Sequence, residues 1–316
     1  MPFPEKDLIS RIRQWVKPGK NLTGIGDDCA ILRIPRGHEA LVTTDLSLED
    51  VHFRREWQPA ASIGHRCLLR GLSDIAAMGG DPLAVFLSLA LPQNVPQSWA
   101  DEFLGGLLKL ASKFDVILAG GDTAVSPAKI LADIVVLGSV PKGKAVLRSG
   151  ARPGDRIFVT ATLGGKSATL RSLAQQESVS AAELKQYLYP MPRIEVGRIL
   201  REKSLASSMI DISDGLSTDL HHICEESAVG AELIAEAIPR TRIGKPDSRV
   251  DLRWALHGGE DYELLFTAPK NKNVPSRISN IPVTEIGRIV QGRRISLRSG
   301  GKVRTLKSQG WEHFRE

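Results

Sequence analysis

The chain has 316 residues, 42% of them hydrophobic and 25% charged, which is typical of a globular protein and excludes disordered, collagen-like and coiled-coil chains. A chain of this length usually needs more than one hydrophobic core, so we expect two domains. The net charge is +6, and the basic residues are densest over 288–307. That stretch has no aromatic residue to stack on a base, which indicates a solvated surface rather than nucleic-acid binding.

Neither a membrane span nor a secretory signal is expected. The longest apolar stretch, 83–91, is about half of a membrane span, and no apolar run follows the charges at the N-terminus. The three cysteines, Cys29, Cys67 and Cys224, form no CxxC pair. This pattern favours a reducing compartment without disulfides or zinc. We therefore expect a cytoplasmic protein with no membrane partner.

Predicted helices and strands alternate through both halves of the chain. In chain order, periodicity and breaker residues predict a helix (5–17), a strand (40–44), a helix (60–78), a strand (83–90), a helix (98–114) and strands (115–119, 130–137). After these come a strand (156–160), a helix following 164–167, a helix (193–202), a strand (208–211), a helix from about 216, a strand (231–234), a helix near 249–256 and a strand (262–267). This alternation indicates an α/β or α+β architecture twice. The stretch 138–155, rich in glycine and proline, marks the expected junction between domains at 1–140 and 141–316.

Short acidic motifs recur along the chain, most of them beside glycine. They are GIGDD (24–28), TTD (43–45), LSD (72–74), GGDT (120–123), DISDG (211–215) and GGED (258–261). Most follow a predicted strand, and ligands usually bind at the rim of an α/β sheet. Two unit charges ~4 Å apart repel by about 4 kcal/mol at an effective dielectric of 20, so carboxylates crowded there require cations. Oxygen ligands from Asp and Thr suit Mg²⁺ or Mn²⁺ rather than zinc.

The glycines in these motifs indicate which kind of ligand binds together with the cations. They allow backbone N–H groups to approach phosphate oxygens, so the motifs together indicate a nucleotide polyphosphate. One Asp before a helix is more often an N-cap, and one GGD is more often a turn; it is their recurrence that favours ligands. Gly165-Lys166-Ser167 is not a P-loop, because Thr160 stands where that motif requires glycine. Protein-kinase, Rossmann and GxSxG motifs are also absent, so ATP must be held by another fold.

Eight segments, in this order, resemble the thiamine-monophosphate kinase family over nearly the whole chain. They are GIGDDCA (24–30), TTD (43–45), VHF (51–53), LSDIAAMGGDP (72–82), GGDT (120–123), LRSGARPGD (147–155), DISDGL (211–216) and GGEDYELLF (258–266). The resemblance implies a two-domain α/β (α+β) fold like that of aminoimidazole ribonucleotide synthetase. Its N-terminal domain would bind ATP and Mg²⁺ and dimerise, and its C-terminal domain would complete the substrate cleft.

The activity implied by the resemblance is ATP-dependent phosphorylation of thiamine phosphate to thiamine diphosphate, by a homodimer using several Mg²⁺ ions. The alternative is a related ATP-dependent synthetase with another acceptor, such as a purine-precursor cyclo-ligase. Because the acceptor is a phosphate oxygen that is already ionised, we expect direct in-line transfer without a general base.

The resemblance also implies the metal ligands: Asp28, Thr43, Thr44, Asp45, Asp74, Asp122, Asp211 and Asp214. Three of these, Asp45, Asp122 and Asp214, are the candidate catalytic residues. Asp27 either joins the ligands or only shapes its loop. His221 and His222 lie in a predicted helix without a second pair of ligands, so we expect structural roles for them.

Two further groups would contact the substrates. Gly121, Asp122, Arg148 and Ser213 would contact ATP, although Arg148 could instead form a surface salt bridge and Ser213 could cap a helix. The thiamine phosphate contacts implied are His52, either Glu260 or Asp261, and Trp311. The Trp311 indole would stack on thiamine or else be buried in the core.

Overall fold

The computed structural model describes residues 5–16, 22–26, 28–244 and 248–311. The chain divides into two compact units. The first comprises the chain up to Ile75 together with Gly80–Gly143, and the second comprises Ala76–Gly79 and the chain from Lys144 onward. Among the described residues, none of the helices has the length and apolar character needed to cross a membrane.

The first unit is built on a four-stranded sheet. Its elements are α1 (Glu5–Trp15), β1 (Leu22–Thr23), β2 (Ile31–Leu32), β3 (His38–Leu48), α2 (Ala60–Ala77), β4 (Asp81–Pro92), α3 (Gln97–Lys113), β5 (Ile117–Ser126) and β6 (Leu131–Pro141). The sheet order is β3-β6-β4-β5, and β1 pairs separately with β2. All pairs are antiparallel except β4 with β5, which α3 connects as a crossover helix.

Two helices, α2 and α3, cross in close contact through glycine. A Cβ atom on Gly64 of α2 would lie 1.9 Å from the carbonyl oxygen of Phe103, and one on Gly106 of α3 would lie 1.8 Å from that of Ala61. Further along α2, a Cβ on Gly71 would meet the Val136 side chain of β6 at 2.5 Å. The buried core of this unit therefore lies between the helices and one face of the sheet.

The second unit is built on a larger sheet. Its elements are β7 (Arg156–Thr160), α4 (Gly165–Ala174), α5 (Ala181–Leu188), α6 (Ile194–Glu202), β8 (Ser208–Asp211), α7 (Leu216–Glu226), β9 (Gly230–Ile234), the 3-10 turn Ala235–Ala237, β10 (Arg242–Ile243), β11 (Ser248–Arg249), α8 (Leu252–His257), β12 (Leu264–Ala268), β13 (Arg277–Ile278), β14 (Ile281–Val290), β15 (Ile295–Ser299) and β16 (Lys302–Thr305). The sheet order is β16-β15-β9-β14-β7-β12-β8, with β13 on β14, and β10 pairs separately with β11.

The direction of β12 brings the segment that precedes it close to the ends of β7 and β8. This strand runs antiparallel to both of its neighbours, with Leu264 opposite Asp211 of β8 and Leu265 opposite Val159 of β7. The segment before β12 therefore reaches the edge of the sheet at which β7 and β8 end. Below that edge, Ile157, Val159 and Leu265 are fully buried in the core of the unit.

Two acidic motifs lie inside strands rather than at the ends of the strands predicted over 40–44 and 115–119. Thr43–Asp45 lies in the middle of β3, and the stretch 120–123 lies within β5. The reason in β5 is steric. A Cβ on Gly121 would lie 1.8 Å from the carbonyl oxygen of Leu87, so this glycine permits close pairing with β4 rather than a turn.

Other differences concern elements that the sequence analysis did not predict. Helix α5 and the strands β13 to β16 are additional, and β12 begins at Leu264 rather than at 262. The basic stretch 288–307 contributes to the sheet through its apolar positions, since Ile295 and Leu297 are buried, while Arg288 and Arg298 remain exposed. Its outer surface is solvated, as predicted.

Adjacent glycines in α3 provide a matched test of this packing. We expect Gly106→Ala to lower the free energy of unfolding by about 1–3 kcal/mol, because the added methyl group overpacks the contact with α2. Gly105 has no atom within 4 Å of an added Cβ, so Gly105→Ala should raise stability by about 0.5–1 kcal/mol through helix propensity. Urea unfolding followed by circular dichroism measures both. Equal effects of the two substitutions would contradict the close helix contact.

Candidate active site

The DISDG turn brings two carboxylates to the end of β8. Asp211 is the last residue of that strand and is 4% exposed, whereas Asp214 is partly exposed. Gly215, with φ of 122°, leads into α7, and a Cβ there would lie 2.9 Å from the carbonyl carbon of His257. Only glycine fits this conformation at such a close approach, so the motif needs its glycine for backbone packing.

Asp219 is a third carboxylate at this place, and the sequence analysis did not single it out. It lies one turn into α7, is 1% exposed, and accepts the backbone N–H of Gly215 at 3.0 Å. Burial raises the pKa of Asp219 well above its usual value, and the charges of Asp211 and Asp214 raise it further. The three carboxylates therefore repel one another strongly enough that a bound cation would stabilise their ionised forms.

The chemistry of this cluster fits a divalent metal ion. Ligand atoms of Asp214, Asp219 and His222 all lie within 4.8 Å of one another. Carboxylate oxygens are the ligands that Mg²⁺ prefers. His222 was expected to be structural, but its position three residues after Asp219 places both on one helix face. That spacing is the signal by which the pair could have been found.

The segment before β12 lies directly on the DISDG turn. The Glu260 N–H donates to the Ser213 carbonyl at 2.7 Å, and the Tyr262 N–H donates to the Ile212 carbonyl at 2.8 Å. The Trp311 N–H donates to the Asp214 carbonyl at 3.1 Å, and Trp311 is 52% exposed. The structure thus brings together predicted residues from three distant parts of the sequence, and the Trp311 indole is not a core side chain.

Neighbouring carboxylates Glu260 and Asp261 differ sharply in environment. Asp261 is 1% exposed, accepts the Gly164 N–H at 2.8 Å, and lies 3.9 Å from the Lys166 ammonium. Burial raises the pKa of Asp261 to about 7, although Lys166 opposes this shift. Glu260 is partly exposed. Asp261 therefore anchors the start of α4, and of the two carboxylates only Glu260 lies at the surface.

The predicted ligands of the first unit fall on two faces of its sheet. Side chains alternate along β3, so Thr43 and Asp45 point to the face covered by α2, where the Thr43 hydroxyl donates to Asp74. Thr44 points to the opposite face and donates to Asp133 at 2.9 Å. Asp133, a carboxylate that the sequence analysis did not single out, pairs in register with Ser88, and Ser88 pairs with Asp122. Thr44 and Asp122 thus share the second face.

Two other predicted residues of the first unit lie outside these sets. Asp28 is exposed in the segment between β1 and β2, and Asp27 lies outside the described residues. The Leu48 N–H donates to Nδ1 of His52 at 3.0 Å. A neutral imidazole in this arrangement carries its proton on Nε2, so His52 offers a hydrogen-bond donor.

Within the second unit, Arg148 is not beside Asp214. The Arg148 carbonyl accepts the Ser227 hydroxyl at 3.1 Å, at the C-terminal end of α7. Asp214 precedes the N-terminal end of the same helix, and 11 residues of helix span about 16 Å. Contact of Arg148 with a nucleotide phosphate stays a prediction.

Family models define the class of the fold. The model for the AIR synthase related protein N-terminal domain matches residues 26–140, and the model for the C-terminal domain matches residues 152–300. Together they confirm the predicted two-domain fold of the aminoimidazole ribonucleotide synthetase type, built from mixed α/β units.

Similarity to individual proteins is more specific. The chain is 39% identical over 330 residues to thiamine-monophosphate kinase of Salmonella typhimurium, covering 99% of both chains. The crystal structure of thiamine-monophosphate kinase from Stenotrophomonas maltophilia superposes with a TM-score of 0.81 at 33% identity, covering 95% of this chain and 98% of that one. AaThiL complexed with AMPPCP and TMP superposes with a TM-score of 0.78 at 29% identity, covering 98% and 96%. This chain belongs to the thiamine-monophosphate kinase family and is an enzyme of that family.

The raised pKa of Asp261 predicts a pH-dependent stability. Because its pKa in the fold, about 7, exceeds the ordinary 3.8, the folded state holds the proton more tightly, and stability falls as pH rises between these values. Relative to Asp261→Asn, the wild type should lose about 2–3 kcal/mol of unfolding free energy from pH 5 to pH 8.

Urea unfolding of both proteins across this range measures the difference. Asp251→Asn is the matched control, since Asp251 is an exposed cap of α8 that accepts the Arg253 N–H and Asn caps helices as well as Asp. A constant difference between wild type and Asp261→Asn at all pH values would contradict the buried carboxyl group.

Proposed function

We propose that the enzyme phosphorylates thiamine phosphate to thiamine diphosphate with ATP, by direct in-line transfer assisted by several Mg²⁺ ions. The observation that carries this proposal is similarity along the whole chain to thiamine-monophosphate kinases, including AaThiL in complex with TMP and AMPPCP, an analogue of ATP. The cluster of carboxylates at the end of β8 supports the same chemistry.

The chemical difficulty of this reaction is charge. Two phosphate dianions ~4 Å apart repel by roughly 17 kcal/mol at an effective dielectric of 20. The acceptor oxygen is already ionised near neutral pH, so no side chain has to remove a proton from it. The residues of the site are therefore required to bind, orient and neutralise rather than to act as acid or base.

Aspartate and threonine side chains of both units are proposed to hold the cations. In the second unit these are Asp211 and Asp214, with Asp219 added because it lies in the same cluster. In the first unit they are Asp28, Thr43, Thr44, Asp45, Asp74 and Asp122, of which Thr43 and Asp74 are already in contact. When bound, Mg²⁺ supplies the positive charge that reduces repulsion between the phosphates.

Substrate contacts are proposed as follows. Gly121, Asp122, Arg148 and Ser213 bind ATP. Glu260 is the carboxylate that faces thiamine phosphate, because Asp261 is buried and engaged with Gly164 and Lys166. The half-exposed Trp311 stacks on the thiamine rings, and Nε2 of His52 donates a hydrogen bond to the phosphate.

We further propose a cytoplasmic homodimer. The face of the first sheet opposite to α2 exposes Val42 by 66% and Leu46 by 53%, and apolar side chains that cluster on an open sheet face favour burial against a partner. All three cysteines are free, which supports a reducing compartment. A sedimentation mass of one chain rather than two would contradict the dimer.

A chromatographic assay tests the reaction. With ATP, Mg²⁺ and thiamine phosphate, we expect ADP and thiamine diphosphate to appear in equal amounts. ADP without thiamine diphosphate would indicate a different acceptor, such as the purine precursor used by a related synthetase. No product with Mg²⁺, Mn²⁺ or K⁺ would contradict the proposal. A radiolabelled phosphoenzyme trapped after brief exposure to ATP would contradict direct transfer.

Neutralising a proposed metal ligand should remove activity but not the fold. We expect Asp214→Asn to lower kcat by about 100- to 1,000-fold, the range for loss of one electrostatic group at a transition state. Its melting temperature should stay the same or rise, because the change relieves repulsion with Asp211 and Asp219. Asp45→Asn tests the first unit in the same way.

The control for these variants is again Asp251→Asn, which removes an equal charge from an exposed helix cap. It should keep activity within about twofold of the wild type, as expected for a surface site without a role in the reaction. Activity of the Asp214 and Asp45 variants equal to that of the control would refute their roles as ligands.

A further inference from the structure

The segment that carries Glu260 has a strained backbone. Glu260 and Tyr262 have φ angles of 67° and 50°, in the left-handed region that residues other than glycine seldom adopt. Such residues cost about 1–3 kcal/mol each and persist only where their surroundings force the conformation. Something in the second unit must therefore hold this segment in place.

Backbone hydrogen bonds tie the segment to the DISDG turn. Besides the Glu260 and Tyr262 donors already described, the Ile212 N–H donates to the Glu263 carbonyl at 2.7 Å. The segment 260–263 and the DISDG turn thus share three hydrogen bonds, so displacement of one of them would move the other.

Glu263 anchors the far end of this segment through a fully satisfied buried carboxylate. Arg193 donates to it twice, from Nε at 2.6 Å and from Nη2 at 2.5 Å. The Thr160 hydroxyl donates to the same carboxylate at 2.7 Å and accepts the Leu264 N–H at 2.8 Å. The side chain of Glu263 is 2% exposed, and that of Arg193 is 17% exposed.

The chemistry of this pair is unusual for a purely structural contact. Burying an ion pair commonly contributes no more stability than apolar packing of the same volume. The pair also lines a cavity of about 300 Å³, together with Lys166 and Tyr187, so it does not fill the core. A bidentate Arg–carboxylate contact fixes the orientation of the carboxylate relative to the guanidinium.

We propose that Arg193 is a positioning residue for thiamine phosphate: through its two hydrogen bonds to Glu263 it holds the strained backbone of Glu260 and Tyr262 against the DISDG turn, so that Glu260 faces the substrate. The substrate named here rests on the proposed function. Arg193 acts through its contact with Glu263, so it affects the affinity for one substrate rather than the chemical step.

Steady-state kinetics of the full-length enzyme test this role. Arg193→Lys keeps the charge but loses the planar fork, and we expect it to raise the KM for thiamine phosphate by about 5- to 10-fold, with the KM for ATP within twofold. Arg298→Met is the matched control, since it removes one guanidinium from an exposed Arg–Glu pair, 2.9 Å from Glu232. The control should leave both KM values within twofold.

A second variant guards against misfolding caused by an unpaired buried charge. Arg193→Met combined with Glu263→Gln removes both charges at nearly constant volume, and should raise the KM for thiamine phosphate by about tenfold while circular dichroism stays that of the wild type. A folded variant with wild-type KM for thiamine phosphate would overturn the proposal. Equal rises in both KM values would overturn it as well.

Hydrogen exchange separates this inference from the proposed function. Because the Glu260 and Tyr262 N–H groups are hydrogen-bonded to the DISDG turn, peptides covering 258–264 should exchange at least about tenfold faster in the variants, and peptides covering β9 and β14 should not change. If the wild type makes no thiamine diphosphate, the proposed function fails while this exchange result still decides the role of Arg193. Unchanged exchange at 258–264, or acceleration throughout the unit, would overturn that role.

Discussion

Repulsion among carboxylates at the end of β8 is the constraint on which the second unit depends. Asp211 and Asp219 are buried, and Asp214 lies between them along the chain. Close like charges in a poorly solvated place cannot all ionise without compensation. The protein supplies part of that compensation itself, since Asp219 accepts the Gly215 N–H at the start of a helix, where the helix dipole favours negative charge. The remainder is the reason to expect cations.

At the same edge of the sheet, close backbone contacts hold the segments that carry the carboxylates. Gly215 permits the DISDG turn to lie against His257, and Gly259 approaches the Ser213 carbonyl in the same way. These contacts bring the backbones of the two segments together at the edge of the sheet. The strained segment from Glu260 to Tyr262 completes it. Its conformation is possible because two carboxylates, Asp261 within the segment and Glu263 directly after it, are anchored within the same unit.

Sequence patterns predicted most of the framework, and the failures have physical causes. Helices α2, α3 and α6 and strands β7 and β8 were predicted within a few residues, because the helices repeat with burial on one face and the two strands are short runs buried almost throughout. The motif at 43–45 was expected at the end of a strand over 40–44 but lies in the middle of β3. The motif at 120–123 was expected to follow a strand, but Gly121 serves close strand pairing within β5. Alternation within the basic stretch was obscured by its charge, since arginine occupies the outer face of strands whose inner face is apolar.

The candidate site was predictable only in part for a related reason. Asp211, Ser213, Asp214 and Glu260 come together because β12 runs antiparallel beside β8, and Trp311 joins them through the hydrogen bond from its N–H to the Asp214 carbonyl. Motif order alone contains neither contact. Asp219 was not predicted because an acid within a helix looks like any solvated position until its burial is known. His222 was expected to have a structural role because the predicted helix offered no second pair of ligands. Asp133 was not predicted because it lies in an otherwise apolar strand.

Adjacent carboxylates in this protein perform different tasks because their environments differ. Glu260 is partly exposed, Asp261 has its pKa raised to about 7 by burial, and Glu263 is held by a bidentate guanidinium. Three of the four residues over 260–263 are acids, and these three differ in solvation or in the groups that donate hydrogen bonds to them. Asp261, Tyr262 and Glu263 are all buried, so Glu260 is the one acid of this stretch that lies at the surface. The donors that hold Asp261 and Glu263 therefore allow two buried acids and one surface acid to share a short stretch of chain.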